Sequence, residues 1–257
     1  MAVDSLSVAT AGLDCVRPAW AAPDNIRALA TTCLGGESRG GYAALNLGDH
    51  VGDDPVCVAQ NRARLITAMS LPAEPRWLTQ VHGTAVVHAD SVTVPVEADA
   101  AWSASTAVVC AVLTADCLPV LFCTRDGQQV AAAHAGWRGL CAGVLEQTVN
   151  AFLRAGFAAA DILVWLGPAI GAAAYEVDSA VRDAFIARDP ELTECFSNTR
   201  PEHWSLDLYA AARALLAAQG VREISGGDLC TFSDARFYSY RRAAQCGRQA
   251  TLIWRQA

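Results

Sequence analysis

The chain has 257 residues, 53% of them hydrophobic and 18% charged, which excludes a disordered segment and allows one large domain or two small ones. Its formal net charge is −7, every basic residue is Arg, and no basic tract or aromatic–basic stripe occurs; nucleic acid is not an expected partner, and a Schiff-base lysine and a Lys-containing phosphate loop are excluded. Ten cysteines are scattered without a C-x-x-C pair, which predicts reduced thiols acting mostly as small buried hydrophobes.

No Lys or Arg precedes Arg17, so no basic start of a secretory signal is expected and the cytoplasm is the expected location. In "DDPVCVAQNRARLITAM", Asp54 is placed to cap a helix and Pro55 fits its first position. "RWLTQVHGTAVVHAD" predicts two strands around His82-Gly83. The apolar window 104–123 is nearly long enough to cross a bilayer. It contains Asp116 and Pro119, however, and is rich in Val, Leu and Thr, so it predicts buried strands and no membrane span. "TAVVCAVL", "LPVLFC" and "QQVAAAHA" are those strands, the last two joined by a two-residue turn at Asp126-Gly127. "GLCAGVLEQTVNAFLRAG" predicts one helix ended by Gly156, and "DILVWLGPAIG" a strand running into a Gly-Pro turn. Two further helices follow, "DSAVRDAFIARD", capped by Asp178 or Ser179, and "SLDLYAAARALLAAQGV", started by Ser205 or Asp207 and followed by Gly220. The C-terminal part holds an Arg-rich loop and a last strand. No linker or repeat interrupts the chain, so one domain over 1–257, with a core of about 27–256, is expected. Hairpins mixed with helices predict an α/β or α+β sandwich.

The hairpin brings distant chemistry together. With Asp126-Gly127 as the turn, Pro119 falls opposite His134, and Cys117, Pro119 and His134 share one face of the sheet. Cys117 is then diagonal to His134, roughly 7–8 Å backbone to backbone. Three readings are open at this point. A thiolate and an imidazole suit a metal, with His82, at a Gly-marked turn, as a third ligand. Cys117 and His134 also suit a nucleophile and its base. A buried Cys beside a satisfied His is the third. In "HAGWRG", Gly136 and Arg138 stand where a strand passes into a helix, which predicts an anion site for phosphate or carboxylate. Asp116 points away from Cys117 on a regular strand; in a loop it is a candidate general acid/base or partner of a His. His88 and His203 read as structural or exposed, and His50 as part of a solvated loop, with a place lining a pocket as its alternative.

The run "NLGDHVGDDP…NR", "QVHG", "ADA", "TADCLPVL", "AHAGWRG", "GPAIG…YEV" and "CTFSDARFYSYRR…GRQA" resembles the family once described as multicopper polyphenol oxidases. That family is also known as PgeF (peptidoglycan editing factor) or as YfiH-type purine nucleoside phosphorylases. The resemblance spans about Thr31 to Trp254. It implies a four-layer α/β/β/α sandwich with mixed sheets, similar to some cysteine hydrolases. It also implies one metal, usually zinc, on a His-Cys-His set that falls on His82, Cys117 and His134. The activities implied are phosphorolysis of adenosine, inosine, guanosine and methylthioadenosine, and adenosine deamination by water that the metal activates. The implied partners are purine nucleosides and phosphate, and a monomer is expected. Two departures stand out. Cys33 occupies a position where the family commonly has Arg, with Arg39 or an Arg of "YSYRR" as a replacement, and "ADAAWSAS" replaces the usual loop after "ADA". Copper oxidation of phenols is disfavoured, because the chain has only five His and no H-x-H. Hydrolytic editing of cell-wall precursors with Cys117 as nucleophile remains an alternative, as does a purine- or metal-binding module without turnover.

Overall fold

A computed structural model of the chain describes residues 5–10 and 12–256. Its strands, in chain order, are β1 (Ser5–Thr10), β2 (Leu13–Pro18), β3 (Ile26–Thr31), β4 (Val86–His88), β5 (Ala100–Ser103), β6 (Val109–Thr114), β7 (Leu118–Thr124), β8 (Val130–Ala135), β9 (Ile162–Leu166), β10 (Glu176–Asp178), β11 (Phe196–Arg200), β12 (His203–Leu206), β13 (Glu223–Gly226) and β14 (Gln249–Arg255). The helices are α1 (Pro55–Met69), α2 (Trp137–Ala142), α3 (Val144–Arg154), α4 (Ser179–Arg188) and α5 (Leu208–Ala218).

Two sheets form the centre. A five-stranded sheet runs in the order β1-β2-β3-β14-β6 and a six-stranded one in the order β13-β9-β7-β8-β5-β4. The first is antiparallel throughout. The second is mixed, with parallel pairs at both edges. Strands β6 to β9 are buried along their whole length, so they read as continuous apolar runs instead of alternating ones.

Side-chain parity assigns the layers. Cys110 and Val112 of β6 meet Leu121, Cys123, Val130 and Ala132 of β7 and β8 in a core between the sheets. The opposite parity of β7 and β8, including Phe122 and Ala133, packs under α3 and α5. The outer parity of β6 and β14, including Ala111 and Leu252, packs against Leu65 of α1. The result is the four-layer α/β/β/α sandwich that the resemblance implied. A small three-stranded sheet, β10-β12-β11, sits beside it. Among the described residues no helix is long and apolar enough to cross a membrane.

The expected helix starts hold. Asp54, Asp178 and Asp207 each accept a backbone N–H of the first turn, from Val56, Val181 and Ala210. Three local expectations change. The hairpin keeps its predicted register, Pro119 opposite His134, but its loop is wider. Arg125 and Gln128 do not pair; the Arg125 N–H donates to the Asp161 carbonyl at 2.8 Å, and Thr124 Oγ1 accepts from Gln128 and Gln129 at 2.9 and 3.1 Å. The helix after His134 is two helices, because Gly143 adopts φ +106° between α2 and α3. Arg188 of α4 donates to the carbonyls of Leu140 and Cys141 exposed by that break. Only the second of the strands expected around His82 forms. Residues 76–82 make isolated bridges through Arg76 and Thr79, because their last N–H groups turn to a side chain instead of a ladder.

Leu121 is fully buried between the sheets. Leu121→Ala is expected to cost about 2–5 kcal/mol, read as a lower urea midpoint with an unchanged slope.

Candidate functional site

Four strand ends meet at one end of the sandwich. β6 finishes at Thr114 opposite Gln249, where β14 starts, and β7 starts opposite Ala135, where β8 finishes. A cleft of about 490 Å³ opens there, within the range of small-molecule sites. Cys117, just before β7, and His134, near the end of β8, carry the parity that faces the other sheet, so both side chains reach this cleft.

His82 arrives from a different loop, at φ +59°. Its conformation is held by Asp99, which is fully buried. The Asp99 carboxylate accepts the backbone N–H groups of Val81, His82 and Gly83 at 3.3, 2.9 and 2.6 Å. The same carboxylate holds His134 Nδ1 at 2.8 Å. Burial pushes the Asp99 carboxyl up, but the His134 imidazole and the N–H donors outweigh it and hold the group below the usual carboxylate range.

The two rings stand edge to face, 4.8 Å apart at 75°. Cys117 Sγ lies 3.9 Å from His82 Nε2, and the three donor atoms of His82, Cys117 and His134 are all within 4.8 Å of one another. Tetrahedral ligands at ordinary bond lengths are about 3.4–3.7 Å apart, so the set surrounds one ion position with little adjustment. A carboxylate on the second nitrogen of a ligand His is the usual outer support of such a site. The donor set therefore fits a metal ion. Gly136 makes this approach feasible: a Cβ there would lie 2.8 Å from His82 Cδ2 and 2.9 Å from Cys117 Sγ. Gly139 does the same for the loop, since its Cβ would lie 2.9 Å from the Gly83 carbonyl oxygen.

Electrostatics single out Cys117. Burial alone pushes a thiol up, as it does for Cys123, to about 12. At Cys117 the His134 and His82 imidazoles overcome burial and bring the thiol down to about 6. Burial likewise opposes charge on His134, yet Cys117 and Asp99 raise it to about 9.

The walls of the cleft are cationic and aromatic. Arg138, Arg241 and Arg248 all line it, with Trp137, Tyr175 and Tyr240. Arg138 stacks on Trp137 at 4.5 Å and Arg241 on Tyr175 at 5.3 Å. Among the described residues none of these three Arg is in an ion pair. Among the described residues the single carboxylate lining the cleft is Asp116, so an acidic protein presents a positive hollow.

Residues 27–256 match a family described as multi-copper polyphenol oxidoreductase laccase. The chain belongs to this family. It is 52% identical over 241 residues to a purine nucleoside phosphorylase of Pseudomonas aeruginosa, covering 93% of this chain and 97% of that one. It is 48% identical over 239 residues to the purine nucleoside phosphorylase YfiH of Escherichia coli, covering 92% and 97%. Among solved structures it matches a Neisseria meningitidis protein with a TM-score of 0.90 at 42% identity, covering 99% and 100%. YlmD of Geobacillus stearothermophilus matches with a TM-score of 0.86 at 32% identity, covering 98% and 100%.

Against the expectations for this family member, His82, Cys117 and His134 do converge. Asp116 does not reach a His. It sits at φ +90°, and its carboxylate accepts Thr231 Oγ1 and the Arg241 N–H, both at 2.7 Å, so it anchors the Arg241 loop. The His partner is Asp99, which sequence reasoning passed over although it is the acid of the quoted "ADA". Arg138 lines the cleft as expected, whereas the visible part played by Gly136 is clearance for sulfur and imidazole. His50 lines the cleft from an exposed loop, and partial burial and the nearby Arg248 push its imidazole down. Cys33 is buried with Tyr238 and Cys246 and lines no part of the cleft; nor does Arg39. Of the "YSYRR" pair, Arg241 faces the cleft, while Arg242 donates to the carbonyls of Thr231 and Phe232 and closes the loop. His88 stacks on Trp102 and His203 bonds the Pro201 carbonyl, both outside the cleft.

Two outcomes follow from this geometry. In metal-stripped protein, alkylation of Cys117, followed by mass spectrometry of its peptide, should reach half its maximal rate near pH 6. A half-point at or above the ordinary thiol value of 9.0 would contradict the electrostatic account. Asp99→Asn should weaken metal affinity by about 10- to 100-fold in a competitive chelator titration, because it removes the charge that orients His134.

Proposed function

We propose that this protein is a zinc-dependent purine nucleoside phosphorylase acting on adenosine, inosine, guanosine and methylthioadenosine, with adenosine deaminase activity at the same site. The observation that carries the reading is the coincidence in one cleft of guanidinium groups that form no ion pair among the described residues, aromatic walls and a metal-type donor set. The phosphorylase names of the relatives support it. Its setting in this reading is the cytoplasm, as a single-domain monomer with purine nucleosides and phosphate as its small-molecule partners.

In phosphorolysis the C1′–N9 bond breaks, a C1′–O bond to phosphate forms, and the purine leaves with a proton. Arg138, Arg241 and Arg248 bind the phosphate and offset its charge as it approaches the sugar. The faces of Tyr175, Tyr240 and Trp137 receive the base and keep water from the sugar carbon. His82, Cys117 and His134 would hold the ion, with Asp99 keeping His134 oriented. Bound there, zinc supplies Lewis acidity and a lowered pKa for water, the chemistry that deamination requires. One thiolate and two imidazoles suit a single zinc. Among the described residues only one group of three candidate ligands occurs, whereas a multicopper centre needs several.

The second reading is a cysteine hydrolase, the class that editing of cell-wall precursors requires. Asp99, His134 and Cys117 stand in the order orienter, base, nucleophile, which favours it. A thiol alkylator should then inactivate the enzyme whether or not metal is present.

The deciding assay supplies inosine and phosphate and measures hypoxanthine by chromatography. Turnover that needs phosphate, is lost in Cys117→Ala and follows zinc content by elemental analysis supports the first reading. Arg138→Ala should raise the KM for phosphate by about tenfold or more while leaving the thermal midpoint unchanged. Release of hypoxanthine that ignores phosphate would overturn the phosphorylase reading.

A further inference from the structure

We propose that the hydroxyl of Thr114 is a substrate-binding group on the floor of the cleft, contacting the nucleoside. The inference rests on the phosphorylase reading above. Thr114 is the last residue of β6 and shares the parity of Cys110 and Val112, which faces the six-stranded sheet. Its side chain therefore looks across the sandwich toward the sheet that carries Cys117 and His134, and all three line the cleft.

Thr114 is only 1% exposed, and its Oγ1 has no hydrogen-bond partner among the described residues. A buried hydroxyl without a partner is destabilising, and Val would fill the same space without that penalty. Neighbouring polar groups are already engaged. The Gln80 amide closes on the backbone N–H and carbonyl of Leu113, both at 2.8 Å. The Gln249 amide closes on the Tyr238 backbone at 2.8 and 3.3 Å. Asp116 is taken by Thr231 and Arg241. In this corner the Thr114 hydroxyl is thus left for a ligand, and it can donate one hydrogen bond and accept others. Nucleosides offer both kinds of partner in their ribose hydroxyls and ring heteroatoms.

Thr251 provides an internal control. It is a fully buried Thr with an unpartnered hydroxyl on β14, but it does not line the cleft.

The test measures inosine phosphorolysis and thermal midpoints for the parent, Thr114→Val, Thr114→Ser and Thr251→Val. Thr114→Val should melt no lower than the parent, yet lose about tenfold in kcat/KM, mainly through the KM for inosine. Thr114→Ser, which keeps the hydroxyl, should stay close to the parent in kcat/KM. Thr251→Val should also melt no lower and leave the kinetics unchanged. Thr114→Val with parental kinetics overturns the proposal. So does a lower melting midpoint for that variant, which would reveal a structural partner, or a loss in Thr114→Ser equal to that in Thr114→Val. A parent that fails to phosphorolyse inosine overturns the phosphorylase reading and this inference with it; an active parent with an indifferent Thr114→Val overturns this inference alone.

Discussion

One buried carboxylate holds the site together. Asp99 is removed from water, and a bare charge there would be costly. Three backbone N–H groups and one imidazole nitrogen repay that cost, and each of these bonds does something for the site. The N–H bonds keep His82 at its left-handed backbone conformation, and the imidazole bond leaves Nε2 of His134 for the cleft. The two imidazoles then act on Cys117. Without Asp99, residues 81–83 would have no reason to leave the extended path of the preceding segment, and the thiol would lose much of the positive field that makes it acidic.

The sandwich is the insulating support for this arrangement. Between its sheets lie apolar side chains, and at its end the same strands expose a few polar ones. Cys110 and Cys123 belong to the inter-sheet core and have thiols pushed up by burial. Cys117 has the same face parity but lies beyond the ladder, beside two imidazoles, and its thiol shifts the other way. The difference between inert and reactive cysteine here is one of position along a strand. The guanidinium groups extend the logic outward, because a positive hollow in a protein of net charge −7 attracts anions that the rest of the surface repels.

Much of this was legible in the sequence. Strand periodicity and the Asp126-Gly127 turn placed Pro119 opposite His134, and through it Cys117, even though the loop is wider than a two-residue turn. Asp caps and their following apolar residues located α1, α4 and α5. Gly143 was read as an ordinary helix residue, because one Gly in an apolar helical pattern looks tolerable until its φ is known. The role of His partner offered to Asp116 falls to Asp99 for a related reason. Asp116 is next to Cys117 in sequence and invites a chemical reading, but its φ of +90° turns the carboxylate toward Thr231 and Arg241. Asp99 is distant from both His residues in sequence and meets them only across strands.

The sequence by itself determined most of the strand and helix segments of the core, the register of the β7–β8 hairpin and, through a family pattern, the triplet of metal-type donors, because these follow from local periodicity, turn chemistry and that pattern. Tertiary structure alone decided which carboxylate supports the histidines, which of the arginines face the cleft, and that His50 and Thr114 line it. Those outcomes depend on loops that approach from separate layers of the fold. Backbone conformations such as those of His82 and Asp116 are set by long-range hydrogen bonds, and no local pattern of residues encodes them.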